Sequence, residues 1–355
     1  MNLREAFSPP TPTIVLADNA FGMSDGKTAN GVVMHSDVFS VEAVVDTERA
    51  GQTADEVLDR AGVAPVPIVE STRSALDAVP DAEAFILGVA PAGGQLPSAW
   101  REDIRRAIAA GCDVVSGLHT FLGEDEELAS LAADHSVELF DVREPLADDA
   151  LRVADGRVDD ADAAVVLVAG SDCAVGKRTT TVELYTAARA AGLDVGWVAT
   201  GQTGIMVGAH AGVAIDRVPA DFTAGVVEDL VCDVAAEHDL VFVEGQAALA
   251  HRAYAGVTLS ILHGAWPDAV VLAHDPDRDH RAHFERFGST DLGHEIDCVE
   301  TLSDASVAAV SSWNVPATEP VDVPVANVYD DNGPARLLDA VRRSCSEATS
   351  SAQST

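Results

Sequence analysis

The sequence predicts an α/β protein with two domains, each built around a parallel β-sheet. Short apolar runs rich in valine, isoleucine and leucine alternate with helical patterns along most of the 355 residues, and this alternation is typical of βαβ units. Polar or glycine-rich segments follow many of these runs, where the strands of a parallel sheet end. A chain of this length with 47% hydrophobic residues can form two separate cores.

The first domain is predicted over residues 1–145 and has a Rossmann-like pattern, with strands separated by helices. Its helical patterns include a segment from Ser98 to Ala110 and one from Glu124 to His135. Five apolar runs are expected to form its strands, at residues 13–17, 41–46, 67–70, 84–88 and 112–116.

An aspartate-rich linker over residues 146–162 separates the two domains. It contains six aspartates, so we expect it to be solvated, with a short strand at 151–153. The second domain is predicted over residues 163–347. The Ser/Thr-rich tail at 348–355 is predicted to be disordered.

The second domain opens with a pattern that predicts a phosphate-binding loop. Val165–Ala169 is an apolar, β-branched strand, a glycine-bounded loop follows, and a helical pattern begins after Lys177. Backbone N–H groups of such a loop, the helix N-terminus and the lysine converge on an anion. An ordinary strand-to-helix turn is the alternative. The candidate cofactor-binding residues are Gly170, Ser171, Asp172, Cys173, Gly176, Lys177, Arg178 and Thr179.

This loop departs from the G-x-x-x-x-G-K-[ST] pattern of nucleotide-binding proteins in two places. Its first glycine, Gly170, lies one residue early, and Ser171 occupies the motif position. Arg178 stands where a serine or threonine normally holds Mg²⁺, so that hydroxyl is either Thr179 or absent. The pattern therefore favours anion binding over nucleotide hydrolysis.

Lysine is nearly absent from this chain, which contains only Lys27 and Lys177. Lysine is normally one of the commonest residues, so its retention after Gly176 indicates a need for an ammonium group there. Lys27 follows the first strand and also lies in a Gly-Lys-Thr sequence, but Phe21 stands where the first glycine of a second loop would lie. A functional and a structural role both stay open for Lys27.

Other candidate residues follow the predicted strands. Glu244 ends an apolar run beside the phosphate-binding loop, where a carboxylate commonly holds a metal-bound water or acts as a base. Gln202 follows the strand at 195–199, as a ligand contact or in a tight turn. Arg143 and Arg278 are expected to bind carboxylate or phosphate, with salt bridges or solvated charges as the alternative.

The composition limits the function classes and the location. The formal charge is −36, with 58 acidic and 22 basic residues, which argues against binding to nucleic acids or anionic membranes. We interpret this charge as adaptation to a high-salt, halophilic cytoplasm. Five cysteines without C-x-x-C spacing indicate neither disulfides nor a metal site. No signal peptide or membrane span is apparent, so we expect a cytoplasmic enzyme that acts on small molecules and forms a homo-oligomer.

Several motifs together resemble one known two-domain family. They are GSDCAVGKRTT, ATGQTGIM, FVEGQAALAH and LSILHGAWPDAVVLAH in the second domain, and VVSGLHTFL and FDVREP in the first. The family was long listed as of unknown function, and some members are associated with D-glutamate N-acetyltransferase activity. The resemblance implies a Rossmann-like domain followed by a P-loop NTPase-like α/β domain. Arg252 departs from the family, which often has proline after the histidine.

The resemblance implies acetyl transfer from acetyl-CoA to the amino group of D-glutamate or a similar acidic amino acid. The loop would anchor the CoA phosphates without a metal. Glu244 is then the first candidate for the base and His251 the second, while Gln202 would donate to the oxyanion. The substrate-binding candidates are Gln246, Arg278, Arg143 and Lys27.

Two alternatives remain at this level. The loop also resembles that of dethiobiotin-synthetase-like ligases, which would make the protein an ATP- and Mg²⁺-dependent ligase or kinase acting on a small carboxylate, with Glu244 near the metal. A nucleotide-binding regulatory module is the third interpretation. Polar loops at several strand ends favour a catalytic pocket instead.

Overall fold

The chain folds into two compact units. The structure, a computed structural model, describes residues 1–60, 62–89, 91, 93–282, 284–289 and 291–352. The first unit contains residues 1–145 together with 202–209, and the second contains residues 146–201 and the described residues from 210 onward. The first unit is therefore completed by a segment from late in the chain.

The first unit contains a six-stranded parallel sheet in the order β3-β2-β1-β4-β5-β6. This is the strand order of the doubly wound Rossmann fold. The strands are apolar because both faces of the sheet are covered, and the central strand β4 is buried throughout. They are β1 (Thr11–Leu16), β2 (Phe39–Val45), β3 (Ile68–Val69), β4 (Ala84–Leu87), β5 (Asp113–Ser116) and β6 (Leu139–Asp141).

Seven helices belong to this unit in its described part. Several begin at side-chain caps that the sequence supplies; for example, Ser71 accepts the N–H of Ser74 and Asp125 accepts that of Leu128. The helices are α1 (Leu3–Ala6), α2 (Lys27–His35), α3 (Ala54–Leu58), α4 (Thr72–Ala78), α5 (Trp100–Ala109), α6 (Glu126–His135) and, later in the chain, α8 (Gln202–Val207).

The second unit contains a seven-stranded parallel sheet in the order β15-β14-β11-β7-β10-β8-β9. Strand β7, which precedes the predicted phosphate loop, lies at its centre between β11 and β10. The strands are β7 (Ala164–Gly170), β8 (Val195–Ala199), β9 (Ala211–Gly212), β10 (Leu240–Glu244), β11 (Ala269–His274), β14 (Ser306–Ser312) and β15 (Val325–Ala326).

Helices and one hairpin complete this unit. The hairpin pairs β12 (His280–Arg281) with β13 (Phe284–Gly288) in an antiparallel sheet, which the sequence analysis did not predict. The helices are α7 (Lys177–Ala190), α9 (Thr223–Ala235), α10 (Ala255–Ala265), α11 (Leu292–Leu302) and α12 (Gly333–Ala352). Residues 348–352 of the tail predicted to be disordered thus lie in α12, and 353–355 lie outside the described residues. No helix in the described part is long and apolar enough to cross a membrane.

The acidic linker packs against α9. The strand predicted at 151–153 is wrong, because 3₁₀ turns at Asp148–Ala150 and Arg157–Asp160 flank an extended segment without strand pairing. The buried carboxylate of Glu228 accepts the N–H groups of Asp155 at 3.0 Å and Gly156 at 2.8 Å. Its hydrogen bonds to the linker backbone compensate for the burial of its charge.

Candidate functional site

The loop between β7 and α7 has the backbone of an anion-binding site. Ala174 and Gly176 both have left-handed backbone, with φ of 53° and 98°, and alternation of this conformation turns successive N–H groups toward one point. Gly176 has a second constraint, since a Cβ there would lie 2.3 Å from the ring of Trp313. The loop therefore requires glycine at this position.

Lys177 is buried at the start of α7, with 7% of its surface exposed. Its Nζ donates to the carbonyl oxygen of Asp172 and, at 3.0 Å, to that of Ala247. Burial lowers the pKa of Lys177 to about 8. The ammonium thus lies against two backbone carbonyls and is held in a place where an anion would stabilise its charge.

Arg278 holds the loop in place. Its Nη1 donates to Asp172 Oδ2 at 3.1 Å and to the carbonyl of Cys173 at 2.7 Å, and its Nη2 donates to the carbonyl of Ala174 at 2.9 Å. Its Nε donates to Asp275 at 2.7 Å. The guanidinium is therefore engaged with the loop itself, and the predicted contact with substrate stays a prediction.

A second set of residues fixes the loop at Ser171. The Ser171 hydroxyl lies 2.8 Å from Nδ1 of His274, and its carbonyl accepts a hydrogen bond from Arg281. Arg281 pairs at 3.2 Å with Glu295, and both side chains are buried. The supporting role of His274 and Arg281 was not predicted from the sequence. For His274 the available signal was a polar residue at the end of a buried strand.

Glu244 ends β10, next to β7 in the sheet, and is 5% exposed. Its carboxylate accepts the N–H of Thr200 at 3.3 Å, while the Thr200 hydroxyl donates to the Glu244 carbonyl at 2.7 Å. The Gln246 amide in turn donates to the Thr200 hydroxyl at 3.0 Å. The structure thus brings Glu244 and Gln246, two sequence-predicted residues, into one hydrogen-bonded group.

The positive charges of Lys177 and Arg178 both interact with the Glu244 carboxylate. Burial lowers the pKa of Arg178, and attraction to Glu244 opposes this shift. Glu244 also favours the charged form of Lys177. Arg178, at the position of the usual metal-binding hydroxyl, therefore supplies positive charge beside the strand-end carboxylate.

His251 is completely buried next to the loop. Its Nε2 lies 3.7 Å from Asp172 Oδ1, and its ring stacks on Tyr254 with centroids 5.0 Å apart. A ring nitrogen of His251, the Cys173 sulfur and an Asp172 carboxylate oxygen lie within 4.8 Å of one another, as a metal-binding group would. Burial raises the pKa of the Cys173 thiol.

A mainly apolar cavity of about 720 Å³ adjoins the loop. Cys173 of the loop and Gln246 are among its lining residues, together with the apolar side chains of Ile215, Val218 and Val257. Such a cavity has the size of a site for a small organic ligand.

The remaining candidates lie in the first unit. The Arg143 guanidinium, which is buried, donates through Nη1 to the Gln202 side-chain oxygen at 3.0 Å. Gln202 begins α8 instead of lying in a turn. Lys27 is exposed at the first residue of α2. The structure therefore joins Arg143 with Gln202, and it places Gly170–Thr179, Glu244, Gln246, His251 and Arg278 in the second unit.

A Rossmann-like sheet and a P-loop sheet in one chain define a two-domain α/β protein with a candidate anion site. Residues 47–145 match a family model described as DUF1611_N, a Rossmann-like domain, and residues 152–331 match DUF1611_C, a P-loop domain, both described as domains of unknown function. The chain belongs to this DUF1611 family. The fold class predicted from the sequence is confirmed.

The proteins similar to the chain include one solved structure of the same family and two curated relatives. The crystal structure of a DUF1611 family protein from Anabaena variabilis has a TM-score of 0.83 and 29% identity, covering 94% of this chain and 99% of that one. A protein of Pseudoalteromonas sp named D-glutamate N-acetyltransferase is 38% identical over 66% of each chain. A relative of the same name from Tritonibacter scottomollicae is 38% identical over 56% of this chain and 58% of its own. The chain thus spans 66% and 58% of the length of these two relatives, whose name agrees with the predicted resemblance.

Proposed function

We propose that this protein transfers an acetyl group from acetyl-CoA to the amino group of D-glutamate or a similar acidic amino acid. The observation that carries the proposal is the junction of a cationic phosphate loop with an apolar cavity of about 720 Å³ at Cys173. Coenzyme A has a pyrophosphate for such a loop and a long pantetheine arm for such a cavity. The name shared by the two curated relatives supports the same activity.

The character of the loop favours acyl transfer over the ATP-dependent alternative. Arg178 replaces the hydroxyl that holds Mg²⁺ in P-loop enzymes, and its charge interacts with Glu244. The Arg178 guanidinium offsets the negative charge of Glu244, so the Lys177 ammonium stays available to bind phosphate groups. We infer that the loop anchors CoA and does not activate a γ-phosphate.

The reaction forms one N–C bond and breaks one C–S bond without oxidation or reduction. The neutral amine of the acceptor attacks the thioester carbonyl, and the tetrahedral intermediate expels the CoA thiolate. Glu244 is the proposed base that takes the amine proton, and that proton balances the one gained by the leaving thiolate. Gln202 is the proposed donor to the oxyanion.

The acceptor needs cationic and amide partners for its carboxylates. We propose Arg143, Arg278, Lys27 and Gln246 for this role. We also infer that the enzyme is a homo-oligomer that works in the cytoplasm. Its charge of −36 supports adaptation to high salt.

The test is release of free thiol from acetyl-CoA by the purified protein in molar KCl. D-glutamate, L-glutamate and no acceptor are compared, and a parallel set contains ATP and Mg²⁺. We expect thiol release that depends on D-glutamate and is unchanged by ATP. Formation of ADP or phosphate, with no thiol release, would replace the proposal with the ligase alternative.

A further inference from the structure

His251 is a buried polar side chain that the proposed chemistry leaves without a defined role. Its Nε2 has no hydrogen-bond partner among the residues that the structure describes, although its ring is fully buried. An unsatisfied buried N–H or lone pair costs about 1–3 kcal/mol. A buried polar atom without a partner beside the loop is therefore a candidate contact for a bound ligand.

The second ring nitrogen decides what kind of partner this is. Nδ1 of His251 accepts the backbone N–H of Ala253 at 3.2 Å, so Nδ1 carries a lone pair and no proton. The proton of the neutral ring must then be on Nε2. Burial lowers the pKa of His251, which agrees with a neutral ring. His251 therefore presents a hydrogen-bond donor to the loop.

The tautomer of His251 excludes two roles for the group that Asp172, Cys173 and His251 form. A metal ion at Asp172, Cys173 and His251 would need a lone pair on Nε2 and a proton on Nδ1, where the Ala253 N–H already points. A base that activates Cys173 or the amine through Nε2 would need the same lone pair. The trio is thus neither a metal site nor a nucleophile-and-base pair, and the role of second base considered for His251 does not fit it.

The acceptor must lie at the loop. The nearest carboxylate oxygen, Asp172 Oδ1, is too far at 3.7 Å and already accepts the Cys173 N–H at 2.7 Å. Asp172 belongs to the loop, and the Lys177 ammonium at the end of the loop acts electrostatically on His251. The loop N–H groups and this ammonium both attract an anion. We propose that His251 donates its Nε2 proton to a phosphate oxygen of the ligand held by the loop, namely the pyrophosphate of an acyl-CoA. Only the identity of CoA in this inference rests on the proposed function.

The first test is the tautomer itself, read by long-range ¹H–¹⁵N correlation in the ¹⁵N-histidine-labelled full chain. The spectrum of His251→Gln identifies the His251 signals among the 11 histidines. We expect a protonated Nε2, a bare Nδ1, and a downfield shift of the Nε2 proton when inorganic pyrophosphate or CoA is added. A proton on Nδ1, or an Nε2 signal that neither ligand moves, would overturn the proposal.

The second test is ligand affinity by calorimetry with CoA and with inorganic pyrophosphate. His251→Ala should weaken both by about 10- to 100-fold, the loss of one hydrogen bond to a charged group, and His251→Gln, which keeps an N–H, should weaken them less. His263→Gln, at an exposed position of α10, is the control and should change neither. Thermal melts confirm that the variants are folded.

Three results would contradict the inference: equal affinity in wild type and His251→Ala, no binding of either ligand to the wild type, or stoichiometric zinc in the purified protein that His251→Gln loses. The acetyl-transfer assay is scored separately. If pyrophosphate affinity depends on His251 and no acceptor is acetylated, the inference stands and the proposed function fails.

Discussion

Substitution of Lys177 by methionine tests the phosphate loop directly. The change keeps the length and apolar stem of the side chain and removes the ammonium, which now donates to Asp172 and Ala247. A hydrogen bond to a charged group contributes about 1.5–3 kcal/mol, so CoA affinity at neutral pH should fall by about 10- to 150-fold. Lys27→Met is the control for CoA affinity alone, which it should leave unchanged. Lys27, the other lysine of the chain, is exposed in the first unit and is proposed to contact the acceptor and not CoA.

The pH dependence of CoA affinity follows from the lowered pKa of Lys177. With a pKa of about 8 the side chain is mostly charged at neutral pH and mostly neutral at pH 9. The affinity of the wild type should therefore fall as pH rises through about 8, approaching tenfold per pH unit. Lys177→Met should lack this fall, since it has no charge to lose.

Rising pH should lower CoA affinity, but it should increase the contribution of Lys177 to folding stability. The pKa of Lys177 in the folded protein lies below the ordinary 10.5, so the unfolded chain binds more protons between these values. The contribution of Lys177 to stability therefore rises with pH from about 8 to 10.5, and burial of the ammonium costs about 3 kcal/mol at lower pH. Relief of this cost offsets the lost contacts, so Lys177→Met should stay folded.

The assays are calorimetry with CoA from pH 6.5 to 9.5 in molar KCl and NMR titration of protein labelled with ¹³C-lysine. Two lysines give two sets of signals, and Lys177→Met identifies which set belongs to Lys177. Buried charges are screened little by salt, so the effect should persist at high ionic strength. CoA affinity within twofold of wild type in Lys177→Met, or a Lys177 signal that titrates above pH 10, would refute the reasoning.

Three further substitutions test the base, the loop backbone and the buried support. Glu244→Gln should lower turnover by about 10²- to 10⁴-fold with little change in CoA affinity; unchanged turnover in the thiol assay would remove Glu244 as the base. Gly176→Ala should abolish CoA binding and destabilise the fold more than the control Gly192→Ala. Gly192 also has a left-handed φ, of 77°, but a Cβ there would meet nothing within 4 Å, so Gly192→Ala should lower the free energy of unfolding by only about 1–2 kcal/mol. Equal losses of stability in urea melts would contradict the steric argument. Arg281→Met should lower the free energy of unfolding by about 3–5 kcal/mol, because it leaves the buried carboxylate of Glu295 without its cation. Arg105→Met, which removes an exposed ion pair, should lower it by about 1 kcal/mol or less. Similar urea midpoints for the two variants would contradict the supporting role of Arg281.

Periodicity and loop chemistry were enough to predict both parallel sheets and the P-loop. In a chain that alternates strand and helix patterns, a short apolar β-branched run is most readily explained as a buried strand. A Gly-Lys pair after such a run is typical of the loop whose backbone N–H groups bind phosphate. The carboxylate of Glu244 could be located because charge at the end of a buried strand is uncommon. Each of these signals lies within a short stretch of residues, so a single sequence is enough to detect it.

Other features depend on contacts between distant residues and could not be predicted. Gln202 lies in a helix although Gly204 disfavours one, because hydrogen bonds such as that of Thr203 with Thr28 at 2.8 Å stabilise it from another part of the chain. Arg278 was predicted to meet substrate, but nothing local shows that it reaches the loop carbonyls. The tautomer of His251 depends on a single backbone N–H.

Helix α8 makes the order of synthesis matter for this protein. The first unit includes residues 202–209, so the chain passes between the two units at three places, after residues 145, 201 and 209. A nascent chain that has emerged only to residue 145 still lacks α8, and with it the partners of Thr28 and Arg143. The first unit therefore cannot reach its final structure on the ribosome until β7 and β8 of the second have been made. The two units cannot be produced as two uninterrupted pieces of the gene.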